Sequence, residues 1–415
     1  MNLTPRCAFL LLTLGGLLSD GWAQEWTRFR GPNGTGISQA KGIPISWTEQ
    51  EYRWRVEIPG QSHSQPVIWG RRLFLTTAME IGKERALLCL DKDSGKELWR
   101  RTYTLPTHRP GNRNASYANA SPVVDGDRVI ACFVSRDHFW VRAFDHEGNE
   151  QWSHDLGPFE SQHGHGASPI IHENRVIVTN DQDGDSFVIA FDVATGKQLW
   201  KTPRRPAPTF TAYGTPCLNP RSGAEPELLL SSQSHGISSL DPATGEPNWE
   251  APVYRIRVVA SPVVAGDVVV GSCGQAGGAG NYLAAVKLGG KGDVSKTHVA
   301  YTLRKGTPYV PTPLFHDGKL YLISDGGIAT AIEPLTGREI WTERLRAEFF
   351  GSPVLIDGKI YCASTKGEML VLATGDSFEL LARNPIGEGT HSTPCVDGGR
   401  IYVKTFTHLV SIGAK

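Results

Sequence analysis

The chain repeats itself, and few sequence features restrict a fold more. A Ser-Pro, Thr-Pro or Gln-Pro pair followed by an apolar run occurs eight times in the 415 residues, at Pro66, Pro122, Pro169, Pro216, Pro262, Pro313, Pro353 and Pro394. Successive prolines stand 40 to 56 residues apart. A second element follows most of them. "CLDKDSGKELW" ends at Trp99, "AFDHEGNEQW" at Trp152, "AFDVATGKQLW" at Trp200, "SLDPATGEPNW" at Trp249 and "AIEPLTGREIW" at Trp341. The fifth and seventh units lack this signature. Each unit reads as four short strands joined by D-G, G-D or D-x-x-T-G turns, the chemistry that tight hairpins need.

Four short strands per period of about 45 residues is the pattern of a propeller blade. Eight units predict an all-β fold, a single closed eight-bladed β-propeller. The last unit ends at "LVSIGAK", after its third strand. The stretch "EYRWRVEIPG" ahead of the first unit supplies the missing one, with Trp54 where other units carry their Trp. The N-terminal strand is therefore expected to complete the last blade, which removes open sheet edges.

Composition agrees with a globular chain. Hydrophobic residues make up 40%, and 42 Lys+Arg balance 42 Asp+Glu. That balance argues against a nucleic-acid surface across the whole molecule. The start is separate: "CAFLLLTLGGLL" is too short to span a bilayer comfortably and precedes "GWA". Residues 1–23 read as a signal peptide cut after Ala23, which predicts a periplasmic or secreted protein. Residues 24–50 are expected to be an N-terminal extension packing on the propeller, and 51–415 the propeller itself, without a transmembrane segment. Cys89, Cys132, Cys217, Cys273, Cys362 and Cys395 remain, mostly within apolar runs, and are expected as buried free thiols.

The 11-residue A-x-D-x-x-T-G-x-x-x-W element resembles the tryptophan-docking motif of the pyrroloquinoline quinone (PQQ) repeat propellers. "AFDVATGKQLW" matches it at every fixed position, and the likeness covers nearly all of residues 50–413. The opening "WTRFRGPNGTGIS" is similar to the start of exported PQQ-repeat-like proteins. The resemblance implies a quinoprotein-like propeller in which the motif holds blades together. It also implies two activities. One is a dehydrogenase of alcohols or sugars, with PQQ on the axis beside calcium and an aspartate as base. The other is a periplasmic assembly scaffold that binds an envelope protein partner. This chain has no adjacent cysteines, no C-x-x-C-H and no lipid-attachment Cys at the cut. PQQ with calcium is thus a candidate cofactor that the residues do not favour.

Antiparallel order puts the D-G and D-x-x-T-G turns on one face and the irregular loops on the other. The loops leading into each proline should rim the channel, because irregular loops on a rigid scaffold carry sites. They bring His63, Tyr117, Asn119, His163, His165, Tyr213, Arg255, Arg257, Tyr309, Phe350 and His391. In "QHGHG", His163 and His165 stand two apart, which in an extended chain puts both on one side. The four histidines are candidate acid/base residues or metal ligands, and the others candidate ligand contacts. Asp181, Asp183 and Asp185 in "NDQDGDS" alternate as in calcium loops, but a strand follows at once, so a solvated acidic turn is the competing reading. A polar, aromatic rim with arginines suits a small polar ligand, a sugar or sugar acid, whether or not the protein acts on it.

Overall fold

The computed structural model describes residues 26–106, 115–206, 208–221, 224–275, 278 and 280–413. The leader proposed for residues 1–23 lies outside them. Eight sheets of four antiparallel strands, two of them extended by a short fifth parallel strand, form a closed propeller, numbered here as blades 1 to 8 from Pro66 onward. Blade 3 is typical: Ile170–His172, Arg175–Asn180, Ser186–Asp192 and Gln198–Arg204 run from the channel outward. Its middle strands are almost wholly buried, because neighbouring blades cover both faces, while the outermost strand is largely exposed. The cores therefore lie between blades; Phe139 and Val141 of blade 2, for example, pack with Val176 and Phe187 of blade 3. Among the described residues the six cysteines are free and buried. Among the described residues no helix is long and apolar enough to cross a membrane.

Blade 8 takes its outermost strand from the start of the chain. Tyr52–Glu57 pairs antiparallel with His408–Gly413, with Trp54 opposite Ser411 and Val56 opposite Leu409.

The two repeat signatures have separate jobs. In "DVATG", Oδ1 of Asp192 accepts from the Thr195 N–H at 2.8 Å and its hydroxyl at 2.7 Å, so the aspartate caps its own turn. Gly196 then takes φ +72°, leaving a bare face on which Trp152 of the preceding blade lies; a Cβ there would come 2.7 Å from the indole. Nε1 of Trp152 donates to the Val193 carbonyl in the same turn at 2.9 Å. Trp54, Trp99, Trp200 and Trp341 dock likewise on the blade that follows. Blade 5, which lacks the signature, uses Tyr301, whose hydroxyl donates to the Pro334 carbonyl and whose ring covers Gly337.

The residue before each proline links blades at the channel. The backbone N–H of Gln65 donates to Ser121 Oγ, Ser121 to Ser168, Ser168 to Thr215, and so on round to Ser352, which donates to Thr393 Oγ1. The distances are 2.8 to 3.0 Å. A hydroxyl is small enough to fit and can accept, which explains Ser or Thr at this position.

The first described segment runs inside this ring. The carbonyls of Trp26 and Thr27 accept from Ile68 and Val124 of blades 1 and 2, and Gly36 accepts from Leu355 of blade 7. Ile37–Ser38 adds a parallel strand to the innermost strand of blade 7. The guanidinium of Arg28 reaches the Pro216 carbonyl of blade 4. The segment fills the channel at and beyond the depth of the prolines. Trp26 and Trp47 then join the core shared by blades 7, 8 and 1.

Candidate functional site

Above this filling the channel widens into a cavity of about 690 Å³. Its walls are the loops that precede the prolines, and Phe29 lies at its base. His63, Asn119, His163, Tyr213, Arg257, Tyr309, Phe350 and His391 all line it. Three other rim residues of the sequence reading do not. His165 is buried away from it, its ring 4.6 Å from Phe139 and 5.3 Å from Phe159. The reason is Gly164, whose φ of +81° breaks the extended backbone that would have put both imidazoles on one side. Tyr117 lies under the Arg85 guanidinium and against Gly82. Arg255 is exposed; a bend at Arg255 and Ile256 separates it from Arg257.

The cationic corner is braced. Nη2 of Arg257 donates to Gln162 Oε1 at 2.6 Å and to the Thr209 carbonyl at 2.7 Å, which spreads its fork beside Tyr309. Burial first, and then the Arg257 charge, hold His163 below the ordinary histidine value, so its ring is neutral at neutral pH. Nδ1 of His163 has no hydrogen-bond partner among the described residues. The Tyr213 hydroxyl lies 3.1 Å from Ser161 Oγ, and Tyr213 packs edge-on against Gly166. Across the cavity, His391 stacks on Phe350 at 4.3 Å and stands 4.7 Å from His63, which joins blades 8 and 1 at the mouth.

Several lining residues escaped the sequence reading. Asp325 belongs to a loop between the second and third strands of blade 6. It accepts from the Tyr309 N–H at 2.6 Å and the Val310 N–H at 3.1 Å, and burial raises its pKa. Loop parity places such loops on the same face, so reading them beside the loops before the prolines would have found it. Arg304 directly follows the outermost strand of blade 5, Val299–Leu303. Glu348 adds a second carboxylate and Asn281 an amide. Phe29 had no signal, because it belongs to no repeat.

The acidic stretch does not converge. Asp181 is buried against Arg204 at 2.7 Å, Asp183 accepts from Thr211 N–H and hydroxyl at 3.1 and 2.6 Å, and Asp185 is exposed. The calcium-loop reading is thus replaced by an ion pair and a loop clasp. Among the described residues no three His, Cys, Asp or Glu side chains gather as a metal cage.

The comparisons with known proteins come to the same fold. A family model described as outer membrane protein assembly factor BamB matches residues 45–211, 157–291 and 279–405. Curated proteins of that name are similar over parts of the chain. The one from Legionella pneumophila is 24% identical over 209 residues, 46% of this chain and 51% of that protein. The one from Burkholderia pseudomallei is 23% identical over 252 residues, 57% of this chain and 61% of its own. For Nitrosomonas eutropha the match is 30% over 93 residues, 22% of either chain; the chain thus spans less than two thirds of each of these relatives. Among solved structures, a europium-containing methanol dehydrogenase superposes with a TM-score of 0.69 at 11% identity, over 92% of this chain and 90% of that one. BamB from Moraxella catarrhalis superposes with 0.58 at 15% identity, over 87% and 97%. These last two likenesses concern the fold; the matched stretches of the family model reach across nearly the whole propeller, and the chain belongs to the PQQ-repeat β-propeller family described as outer membrane protein assembly factor BamB.

Proposed function

We propose that this is an exported propeller whose channel-mouth cavity binds a small polar anion of the sugar-acid class, without needing PQQ. One observation supports the reading above others: the cavity brings Arg257 and Arg304 together with three imidazoles and the flat faces of Phe29, Tyr213 and Phe350. A guanidinium fork matches a carboxylate, and aromatic faces suit a sugar ring. Residues held by a rigid scaffold lose little freedom on binding.

A quinone with calcium fits less well. The cavity is large enough for a flat quinone, and its arginines could meet carboxylates. The carboxylates for calcium are not gathered: Asp325 is committed to two backbone N–H groups, and among the described residues no three acid, histidine or cysteine side chains come together around Glu348 or elsewhere. Family membership favours a second reading, a scaffold that holds an envelope protein partner, as the name of the relatives suggests.

Titration calorimetry with glucuronate, galacturonate, glucose, and PQQ with calcium separates these readings. The expected result is uronate binding that weakens at least tenfold in Arg257→Ala, about 1.4 kcal/mol, with circular dichroism unchanged. Failure of both uronates to bind the native chain overturns the proposal. Retention of a single envelope protein without uronate binding then supports the scaffold.

A further inference from the structure

The cavity has a base only because a non-repeating segment occupies the channel. We infer that this segment sets the specificity of the site from below: Phe29 is the contact on which a bound ligand's ring rests, and Arg30 is the positioning residue that holds it there. The inference rests on the reading of the cavity as a ligand site and adds the residues that limit its depth.

Arg30 is 0% exposed and has no carboxylate partner among the described residues. Its guanidinium is held wholly by carbonyls. Nη1 donates to Thr312 at 2.7 Å, Nη2 to Pro313 at 2.8 Å and to Thr35 at 3.1 Å, and Nε to Gly34 at 3.1 Å. Two of these acceptors belong to blade 6 and two to the segment's own turn, so one side chain ties the turn to the wall. Its backbone N–H donates to Gln65 Oε1 at 2.6 Å, and Gln65 Nε2 reaches the Pro394 carbonyl of blade 8. Blade 1 alone has Gln where the other blades have Ser or Thr before the proline. The longer carboxamide spans from the ring to the segment, which a hydroxyl could not do.

The backbone is shaped for this purpose. Arg30 has φ +62° and Gly31 φ +65°. A non-glycine residue in the left-handed region is strained, and here the fixed partners of Arg30 hold it. Gly36 leaves room for the guanidinium, since a Cβ there would lie 2.6 Å from Nη2. Phe29, the residue before this lock, is partly exposed and faces the cavity.

Two measurements test this. First, Phe29→Cys in a Cys7→Ser background places a thiol at the cavity base while the remaining six are buried. Iodoacetamide should modify the folded protein once, at position 29. Adding Arg30→Lys, which keeps the charge but loses the fork, should change that rate at least fivefold. If Arg30→Lys does not fold, Gln65→Ala loosens the same segment from the blade side. A thiol at 29 that reacts only after denaturation overturns the placement of Phe29, and a rate indifferent to Arg30→Lys, or to Gln65→Ala in its stead, overturns the positioning role. Neither result depends on any ligand.

Second, glucuronate affinity is compared between the native chain, Phe29→Ala and Phe29→Leu. The expected loss is at least tenfold for Ala and smaller for Leu, which keeps bulk but no flat face. Glucuronate binding that is equal in all three overturns the contact role and leaves the ligand site itself standing. If glucuronate fails to bind the native chain, the ligand reading falls and takes the contact role with it, while the alkylation result still decides what the segment does.

Discussion

His163 and His165 show how far single residues could be read in advance. Their loop was placed correctly at the channel mouth by strand parity, but only one of the two imidazoles lines the cavity. The φ of Gly164 decides this, and a backbone angle at glycine leaves no trace in residue spacing. Buried among Phe139 and Phe159, His165 has its pKa lowered to about 3, against 6.5 ordinarily, with desolvation as the leading cause. The folded state therefore binds no proton there above about pH 3, while the unfolded chain takes one up below 6.5. The stability supplied by the neutral ring is complete above pH 6.5 and falls as the pH drops towards 3. His235, lowered to about 4, acts in the same sense. His165→Leu should flatten the loss of stability between pH 6 and pH 4 by close to one proton, about 1.4 kcal/mol per pH unit. Urea denaturation at several pH values measures it, and an unchanged slope would show that His165 takes up a proton in the folded state.

Repeating elements were far more legible than individual residues, because the same local hydrogen bonds recur in each blade. Strand number, turn positions and the role of Trp and Asp followed from the D-x-x-T-G-x-x-x-W pattern. What the pattern hides is substitution by another chemistry. Tyr301 docks in blade 5 with the same geometry as a tryptophan. Blade 4 shows a second solution. Blade 5 replaces its turn by a longer loop, whose Gly292–Asp293 pairs in parallel with Trp249 and Glu250 on the outer edge of blade 4. Nε1 of Trp249 donates instead to the buried Glu227 carboxylate at 3.1 Å. If the Tyr301 hydroxyl is a true docking bond, Tyr301→Phe keeps the ring on Gly337 and loses only the bond to Pro334. The expected cost is about 1 kcal/mol in chemical denaturation. A variant as stable as the native chain would reduce the docking to ring packing alone.

At the scale of the whole molecule, the ring is closed without a covalent link at one place only, inside blade 8. There the first strand of the propeller, Tyr52–Glu57, meets the last, His408–Gly413. This junction was legible, because a unit with three strands and a spare strand at the other end of the chain can be joined in few ways. The channel filling was not, since Arg30 binds Thr312 and Pro313 across more than 280 residues without any repeated pattern. The closure makes a specific demand on energetics. Bringing the two strands together closes the longest loop the propeller contains, and the unfolded chain loses most entropy if that loop is fixed in advance. Glu57 and His408 stand opposite each other at the end of the pairing, where neither is in the core. Glu57→Cys with His408→Cys should form a bridge when oxidised. Chain entropy for a loop of this length gives roughly 6 kcal/mol as an upper value; loss of the His408 contact to Glu388, 2.8 Å in the native chain, lowers both redox forms alike. In a Cys7→Ser background the other six thiols are buried and free, so a reductant acts on the new bond alone. Guanidinium denaturation with and without reductant should show the oxidised form more stable by at least about 2 kcal/mol. A bridge that forms, as judged by mass, yet adds no stability would mean that the two strands are already held together in the unfolded chain, or that the ring yields elsewhere before this seam opens.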